Sequence, residues 1–422
     1  MSFAACLLSG LFQRPVHPKA EPRKMLLVLK GGEEYAPPEE PLYINAWSDF
    51  GYMDVKIGTV IGDFQVVRKL GWARYSSVWL CIDLRSPPPM SYVALKVITT
   101  YGSAYLAANL SAEYEVLSKV RSANPSHPGF KHCLAYLDVA FEPMGGHQCI
   151  ATEPLGSNLE NLRSAQRKQR FSVQITKRIV KQVLLALDYL HRECGYTHAD
   201  VKLDNLVVCP PDLAQGRIKC LLSKSPVERY DPINISTLSP DPIITIRSQP
   251  LPNFGLKRSL QNLNIKLIDY GEAKPVKTTV VPGQKIQAEV YRAPEVVMEL
   301  SWSPAMDIWS VGCMLFECLT SADLFSQSLD VPWSPFLHLQ QMEELLGPFP
   351  PSLVSSFPTT FDENGRFRNP TNFTSRRLED LLPKTRSPNY STAQFIRRCL
   401  TLDPKTRPDA RELLEDVWLK DV

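Results

Sequence analysis

The stretch HADVKLDN, residues 198–205, carries five polar or ionisable side chains in eight positions, and apolar segments flank it on both sides. These side chains are His198, Asp200, Lys202, Asp204 and Asn205. Unpaired charge is expensive in a folded core because the charged group loses its hydration. Such a cluster is therefore either a surface turn or a functional site, and the surrounding sequence has to decide between the two.

The segments on either side of this octapeptide predict regular structure. Apolar residues recur every three or four positions before it, which predicts a helix. Its recurring residues are Ile175, Ile179, Val183, Leu187 and Leu190. Downstream, IKLIDYGEA (265–273) is typical of a strand followed by a turn, and MDIWSVGCMLFECLT (306–320) is apolar on nearly every face, which predicts a buried helix.

The first half of the chain has a different pattern. Residues 64–84 and 91–99 are rich in β-branched and aromatic residues and are separated by the turn-forming RSPPP, which predicts antiparallel strands. A helix is expected over 104–120. CIATEPLG (149–156) is a further apolar strand that ends at a proline and a glycine, so it predicts a hinge between two lobes.

Two segments fall outside these patterns. Residues 1–45 are aperiodic and proline-rich, and predict a flexible N-terminal extension. Residues 209–262 contain eight prolines, which resist regular structure, and predict a loop-like insertion on the surface. The expected domains are the extension, an N-terminal lobe over 46–155 and a C-terminal lobe over 156–422 that contains the insertion.

Composition narrows the class of protein. With 422 residues, 44% hydrophobic and 22% charged, the chain is typical of a soluble globular protein. The net charge of +3 gives no support for binding nucleic acid or a membrane, and no apolar run approaches the length of a membrane span. Ten scattered cysteines without a C-x-x-C pair indicate free thiols in a reducing compartment. A transit peptide within residues 1–24 is an alternative interpretation of the start of the sequence.

Six motifs are each weak alone, but their order is informative. LGWARYSSVWL (70–80) is followed by VALK (93–96), a helical glutamate, HADVKLDN, LIDYG (267–271) and YRAPE (291–295). Each has an ordinary structural interpretation, such as a hairpin, a strand lysine or a loop. Chance assembly of all six in this order is improbable.

In this order the motifs resemble those of the eukaryotic protein kinases, from about Phe64 to Leu419. The interruption before LIDYG and the YRAPEV sequence are similar to those of the SR-protein kinase group, which phosphorylates serine in Arg/Ser-rich segments. The resemblance implies an α+β, bilobal protein-kinase-like fold. Its N-lobe is a small antiparallel β-sheet with one main helix, and its larger C-lobe is mainly helical.

The resemblance also assigns catalytic roles. Lys96 contacts the α- and β-phosphates of ATP and is held by a glutamate, with Glu113 ranked before Glu115. Asp269 and Asn205 offer the hard oxygen ligands that Mg²⁺ prefers. Asp200 accepts or orients the proton of the substrate hydroxyl, and Lys202 lies beside the γ-phosphate as in Ser/Thr-specific kinases.

Other residues are expected to bind adenine or to hold the site together. The resemblance assigns the nucleotide pocket to a set on both sides of the hinge: Leu70, Gly71, Val78, Ala94, Lys96, Glu153 and Leu155. His198 is expected to pack on Tyr270, and Asp307 to anchor the backbone of the catalytic loop. Glu295 and Arg407 resemble the buried ion pair at the end of the activation segment.

Four departures from the kinase pattern bear on activity. Ala73 and Ser76 replace the second and third glycines of the phosphate-covering loop. Ala199 replaces an arginine that pairs with a phosphorylated activation loop, which suggests constitutive activity. Ala288 replaces a hydroxyl residue that bridges Asp200 and Lys202. Finally, residues 321–345 contain only four acids, fewer than a docking site for Arg-rich peptides suggests.

The function expected from the sequence is that of an ATP- and Mg²⁺-dependent serine/threonine protein kinase, constitutively active, acting on protein substrates that include Arg/Ser-rich ones. A pseudokinase that serves as a nucleotide-binding scaffold is the alternative. The chain is expected to be a monomer in the cytoplasm or the nucleus, without direct nucleic-acid or membrane contacts.

Overall fold

A computed structural model describes residues 27–28, 34–43, 51–86, 91–108, 111–142, 146–277, 286–327, 332–383 and 390–422. These residues form a small N-terminal lobe, built on a β-sheet, and a larger helical lobe. This is the bilobal α+β architecture that the sequence predicts. Within these residues, no helix has both the length and the apolar character needed to cross a bilayer.

The N-terminal lobe is an antiparallel sheet of six strands in the order β3-β4-β5-β6-β8-β7. Alternate residues point to opposite faces, so that Trp79 and Leu95 are buried on one face and Leu80 and Tyr92 on the other. The strands are β3 (Val60–Ile61), β4 (Phe64–Ala73), β5 (Ser76–Asp83), β6 (Ser91–Ile98), β7 (Tyr136–Glu142) and β8 (His147–Thr152). A two-stranded sheet of β1 (Leu27–Val28) and β2 (Glu34–Tyr35) precedes them.

Two helices, rather than the single helix expected over 104–120, follow β6. They are α1 (Thr100–Ala107), which Thr99 caps, and α2 (Glu113–Ser122). Helix α2 begins at Glu113 and buries Val116, Leu117 and Val120 against the body of the protein. In the sequence, the apolar residues of the two helices follow one another without a clear break, so the pattern predicts one continuous helix.

The C-terminal lobe packs around two long helices. Helix α4 begins after the capping residue Ser172, and every residue of α7 from Met306 to Leu319 is buried. The helices are α3 (Leu159–Ser164), α4 (Val173–Asp188), α5 (Gln215–Lys224), α6 (Pro294–Val297), α7 (Ala305–Thr320), α8 (Pro335–Leu346), α9 (Pro351–Val354), α10 (Leu378–Leu381), α11 (Tyr390–Cys399) and α12 (Ala410–Leu414). Short strand pairs flank the catalytic loop: β9 (Tyr196–Thr197) with β12 (Lys274–Pro275), and β10 (Leu206–Val208) with β11 (Ile265–Leu267).

The insertion at 209–262 is more ordered than the loop that its prolines suggest. It contains α5, whose Ile218 packs with Leu251 against Leu80 and Tyr92 on one face of the N-lobe sheet. An extended hairpin then brings Ile246 onto the opposite face, beside Trp79. The insertion therefore covers both faces of the sheet, because some of its apolar residues pack against those of the N-lobe.

A buried lysine connects residues 35–43, here called the N-terminal strap, to the insertion. The side chain of Lys69 on β4 is fully buried and forms ion pairs with Glu39, at 3.1 Å, and with Glu40. Its ammonium also donates to the carbonyl of Ile246 in the insertion at 3.2 Å. Ser248 of the insertion donates to Glu39 through its backbone N–H at 2.9 Å. The strap, assigned from the sequence to a flexible extension, is thus packed between the sheet and the insertion.

A buried histidine in α8 gives the fold a testable pH dependence. Burial lowers the pKa of His338 to about 4, although its ring contacts the carbonyl of Arg292 at 3.2 Å. The unfolded chain takes up this proton near pH 6.5, so stability is lost as the pH falls from that value toward 4. Between pH 7 and pH 5 this group should contribute about 2 kcal/mol of destabilisation.

Urea denaturation at both pH values measures this contribution. We expect His338→Phe to lose less stability on acidification than the parent protein, because the phenyl ring takes up no proton. An equal loss in both proteins would show that other groups govern the acid sensitivity.

Candidate active site

One lysine of the N-lobe sheet lies between two carboxylates. Strand β6 carries Lys96, which pairs in register with Val78 of β5. Its ammonium lies 2.5 Å from Glu113 Oε1 and 3.6 Å from Asp269 Oδ1. Burial opposes the charge on Lys96, but the two carboxylates outweigh it and raise the pKa of this lysine.

The start of α2 is fixed directly to the Asp-Tyr-Gly turn. The hydroxyl of Ser111 donates to the carbonyl of Gly271 at 3.2 Å and accepts from the backbone N–H of Glu113 at 3.3 Å. Glu115, the second candidate for the partner of Lys96, lies instead beside Tyr196, whose pKa is raised by burial and by this carboxylate. Of the two glutamates, Glu113 is the one that the fold brings to Lys96.

Asp307 at the start of α7 holds the backbone of the catalytic loop. Its two oxygens accept the N–H groups of His198 and Ala199 at 2.7 and 2.8 Å, and His191 lies 2.8 Å away. Burial opposes ionisation of Asp307, but these hydrogen bonds and the nearby histidines lower its pKa. The anchored turn holds Ala199 at a φ of +64°, a conformation that is strained for any residue with a Cβ.

His198 is used for packing. Its ring makes an edge contact with Tyr270, with centroids 5.6 Å apart, and its Nε2 contacts the carbonyl of Ile268 at 3.0 Å. The backbone N–H of Asp200 donates to its Nδ1 at 3.2 Å. The histidine therefore joins the catalytic loop to the Asp-Tyr-Gly turn.

Asp200 presents one oxygen to its neighbours and leaves the other unengaged. Its Oδ2 accepts from Lys202 Nζ at 2.6 Å and from Asn205 Nδ2 at 2.9 Å. In the described part of the chain, its buried Oδ1 has no hydrogen-bond partner. A buried, unpaired carboxylate oxygen is costly, so its retention points to a role as acceptor for an incoming hydroxyl.

Asn205, just before β10, and Asp269, just after β11, carry the side-chain oxygens assigned from the sequence to a cation, and the two strands pair with each other. The side-chain nitrogen of Asn205 donates to Asp200, which leaves the side-chain oxygen of Asn205 for a cation. The backbone carbonyl of Asn205 accepts the N–H of Ile268 at 2.9 Å. Burial opposes ionisation of Asp269, but the charge of Lys96 and smaller effects of His198 and Lys202 lower its pKa. An ionised carboxylate and an amide oxygen fit Mg²⁺, which completes its shell with phosphate oxygens and water.

No cluster of three or more His, Cys, Asp or Glu side chains suited to a metal occurs among the described residues. The side-chain oxygens of Asn205 and Asp269 suit a cation that arrives with phosphate oxygens in its own shell.

The apolar residues assigned from the sequence to the nucleotide pocket come from three neighbouring strands, β4, β5 and β6. Leu70, Val78 and Ala94 are partly or fully buried, and Ala94 pairs in register with Thr152 at the start of the hinge. In the hinge, the carboxylate of Glu153 is held by Lys266 at 2.7 Å, and Pro154 is buried. The N–H of Leu155 makes no hydrogen bond to the described residues, so it is free to bind a planar base.

Two contacts at the site were not predicted from the sequence. Asn253 of the insertion accepts from the backbone N–H of Ser157 at 2.9 Å, and a Cβ on Gly156 would lie 2.0 Å from its amide oxygen, so a larger residue at 156 would displace the Asn253 side chain. Gln287 has a φ of +60°, donates its backbone N–H to the carbonyl of Ala199 at 3.1 Å, and is buried with its amide bonded to Ser310 at 2.8 Å. Neither residue belongs to a local motif.

One of the departures is compensated by this geometry. Ala288 lacks the hydroxyl expected to bridge Asp200 and Lys202, yet the two side chains contact each other directly at 2.6 Å. The alignment of the pair therefore does not depend on residue 288.

Comparison with known proteins agrees with this geometry. The protein kinase domain family matches residues 64–219 and 255–419, and the break falls within the insertion. A serine/threonine protein kinase of Aspergillus fumigatus is 30% identical, with 87% of each chain covered. Protein kinase dsk1 of Schizosaccharomyces pombe is 28% identical, covering 88% of this chain and 84% of the relative. SRSF protein kinase 3 of Homo sapiens is 25% identical, covering 87% and 88%.

A crystallised kinase domain shows the same fold, with a TM-score of 0.64 at 23% identity, covering 87% of this chain and 99% of the solved one. The predicted fold and family resemblance are thus confirmed. The chain belongs to the protein kinase family, which uses ATP and Mg²⁺, and within it the chain is similar to the serine/threonine kinases of the SR-protein kinase group.

Proposed function

We propose that this chain is an active serine/threonine protein kinase that transfers the γ-phosphate of ATP to a hydroxyl of a protein substrate. The observation that carries the proposal is the buried, unpaired Oδ1 of Asp200, on a carboxylate whose other oxygen accepts from Lys202 and Asn205. A scaffold that only binds nucleotide has no use for a carboxylate oxygen kept without a partner.

The mechanism follows from the positions of the side chains. Asp200 orients the substrate hydroxyl and receives its proton as the oxygen attacks the γ-phosphorus and the bond to the β-phosphate oxygen breaks. Lys202 and Lys96 place positive charge beside the phosphates, where negative charge shifts during transfer. Asn205 and Asp269 would hold Mg²⁺, which neutralises the phosphate oxygens.

We further propose that this activity needs no phosphorylation of the activation segment. Ala199 offers no cation for a phosphate at the position where many kinases carry arginine. At the described end of the segment, Gln287 instead forms neutral hydrogen bonds with Ala199, Ser310 and the carbonyl of Met306. These contacts are intramolecular and do not depend on a modification.

For the substrate, we propose serine in Arg/Ser-rich proteins, in the cytoplasm or the nucleus. Support comes from the relatives, whose names include SRSF protein kinase 3. The acids expected to dock arginine are partly engaged within the protein: Glu343 is buried and accepts the N–H of Phe367 at 2.9 Å, and the carboxylate of Glu344 accepts the N–H of Thr374 at 3.1 Å. Arginine preference would therefore arise near the cleft rather than on α8.

One transfer assay tests these proposals together. Phosphatase-treated protein is incubated with Mg-ATP and an Arg/Ser repeat peptide, a peptide with glutamine in place of arginine, and one with alanine in place of serine. We expect incorporation into the first peptide at about 100-fold or more above an Asp200→Ala control.

The outcomes separate the alternatives. No incorporation above the control, with nucleotide still raising the melting temperature, would identify a pseudokinase. Equal rates on the arginine and glutamine peptides would leave the kinase and remove the Arg/Ser preference. Activity lost on phosphatase treatment would contradict constitutive activity.

A further inference from the structure

The tip of the phosphate-covering loop is bonded to a tyrosine outside the N-lobe sheet. The loop joins β4 to β5 through Arg74 and Tyr75. The hydroxyl of Tyr52 lies 2.7 Å from the carbonyl oxygens of both Ala73 and Arg74, to which it donates a shared hydrogen bond. The rings of Tyr52 and Trp72 also meet edge to face, with centroids 6.3 Å apart.

Tyr52 is itself firmly held. It is 8% exposed and packs with Tyr35 and Leu42 of the N-terminal strap and with Ile235 and Ile243 of the insertion. Its backbone neighbour Gly51 accepts the N–H of Thr100, at the start of α1, at 3.0 Å. Burial raises the pKa of its phenol, so the hydroxyl keeps the proton that it donates.

The loop is fixed on its other side by different contacts. Tyr75 stacks on Tyr101 of α1 with centroids 5.6 Å apart, and its carbonyl accepts the N–H of Thr99 at 2.8 Å. Tyr52 precedes the hairpin in sequence, and Thr99 and Tyr101 lie at the start of α1, so the loop is bonded to two segments outside the hairpin. A loop of this kind cannot take up the range of backbone conformations that glycines at 73 and 76 would allow.

We propose that Tyr52 is a positioning residue for phosphoryl transfer, which presets the phosphate-covering loop over the nucleotide by holding its tip carbonyls. This inference rests on the proposed ATP-dependent function. Preorganisation of a binding loop strengthens binding because less conformational entropy is lost when the ligand arrives. Through Tyr52 the strap and the insertion, which lie outside the catalytic motifs, act on the affinity for nucleotide.

The test uses Tyr52→Phe, which removes the hydroxyl and keeps the ring. Tyr43→Phe is the matched control: Tyr43 is 44% exposed and its hydroxyl donates to Asp54 at 2.7 Å. Hydrogen exchange of the nucleotide-free protein is expected to accelerate about three- to tenfold over residues 71–76 in Tyr52→Phe alone, the effect of losing one hydrogen bond. The KM for ATP should rise by a similar factor, with kcat within about twofold.

Exchange unchanged at residues 71–76, or an equal change in Tyr43→Phe, would overturn the proposal. A fall in kcat with an unaltered KM for ATP would also contradict it. The exchange measurement needs no turnover, so a protein that transferred no phosphate would still show whether Tyr52 restrains the loop. Failure of the proposed function and failure of this inference are therefore distinguishable.

Discussion

Lys96→Met is expected to lower kcat/KM for ATP by about 10²–10³-fold, the usual effect of removing one preorganised charge from a transfer site. Methionine is close to lysine in length and fills the same space. It removes the ammonium that lies 2.5 Å from Glu113 and 3.6 Å from Asp269. The loss is therefore electrostatic, and Lys56→Met serves as a control because Lys56 is exposed and its ammonium lies 3.9 Å from Asp54.

The pH profile gives this prediction a second signature. Lys96 is the strongest of the charges that lower the pKa of Asp269 against the opposing effect of burial. Without Lys96 this pKa rises, so the carboxylate needed for Mg²⁺ is protonated at higher pH. We expect the acidic limb of kcat/KM in Lys96→Met to move to higher pH. A uniform loss at every pH would mean that Lys96 contacts the phosphates without tuning Asp269.

The candidate catalytic groups that the structure brings together could be named from the sequence, because each belongs to a short motif. Lys96 lies on a strand rich in β-branched residues, and Asp200 and Asn205 share one stretch of eight residues. Asp269 follows an apolar strand that pairs with the strand after Asn205. The residue types and their order identify the chemistry, and the fold has only to bring four segments together.

The surroundings of the site could not be predicted in this way. Lys69 and Glu39 are 30 residues apart, and Asn253 reaches the hinge across almost 100 residues, so no local pattern joins them. The prolines of the insertion suggest a loop, because proline disfavours regular structure. They do not show that Ile218 and Ile246 are buried on a neighbouring sheet, since that depends on apolar surface that the sheet would otherwise expose.

The largest expected effect on stability comes from a buried ion pair in the C-terminal lobe. Arg407 and Glu295 are both fully buried and make two parallel hydrogen bonds of 2.8 and 3.0 Å. Arg407 also donates to the carbonyls of Thr401 and Ala305 at 2.8 Å. Because Glu295 lies in α6, directly after the activation segment, the pair fixes the end of that segment to the last loop of the C-lobe.

Arg407→Met should lower the free energy of unfolding by about 3–5 kcal/mol, since it leaves the carboxylate of Glu295 buried without a counter-charge. Arg397→Met is the matched control. Arg397 and Glu379 form a similar pair at 3.0 and 3.2 Å on the surface, where an ion pair contributes about 0–1 kcal/mol. Urea denaturation measures both.

The double variant Glu295→Leu/Arg407→Met separates the charge from the packing. It removes both charges, so it should be less destabilised than Arg407→Met alone, although the carbonyls of Thr401 and Ala305 still lose a donor. A double variant no more stable than the single one would show that these carbonyls, rather than the unpaired carboxylate, account for the loss. In that case Arg407 would stabilise the activation segment mainly as a hydrogen-bond donor to the backbone.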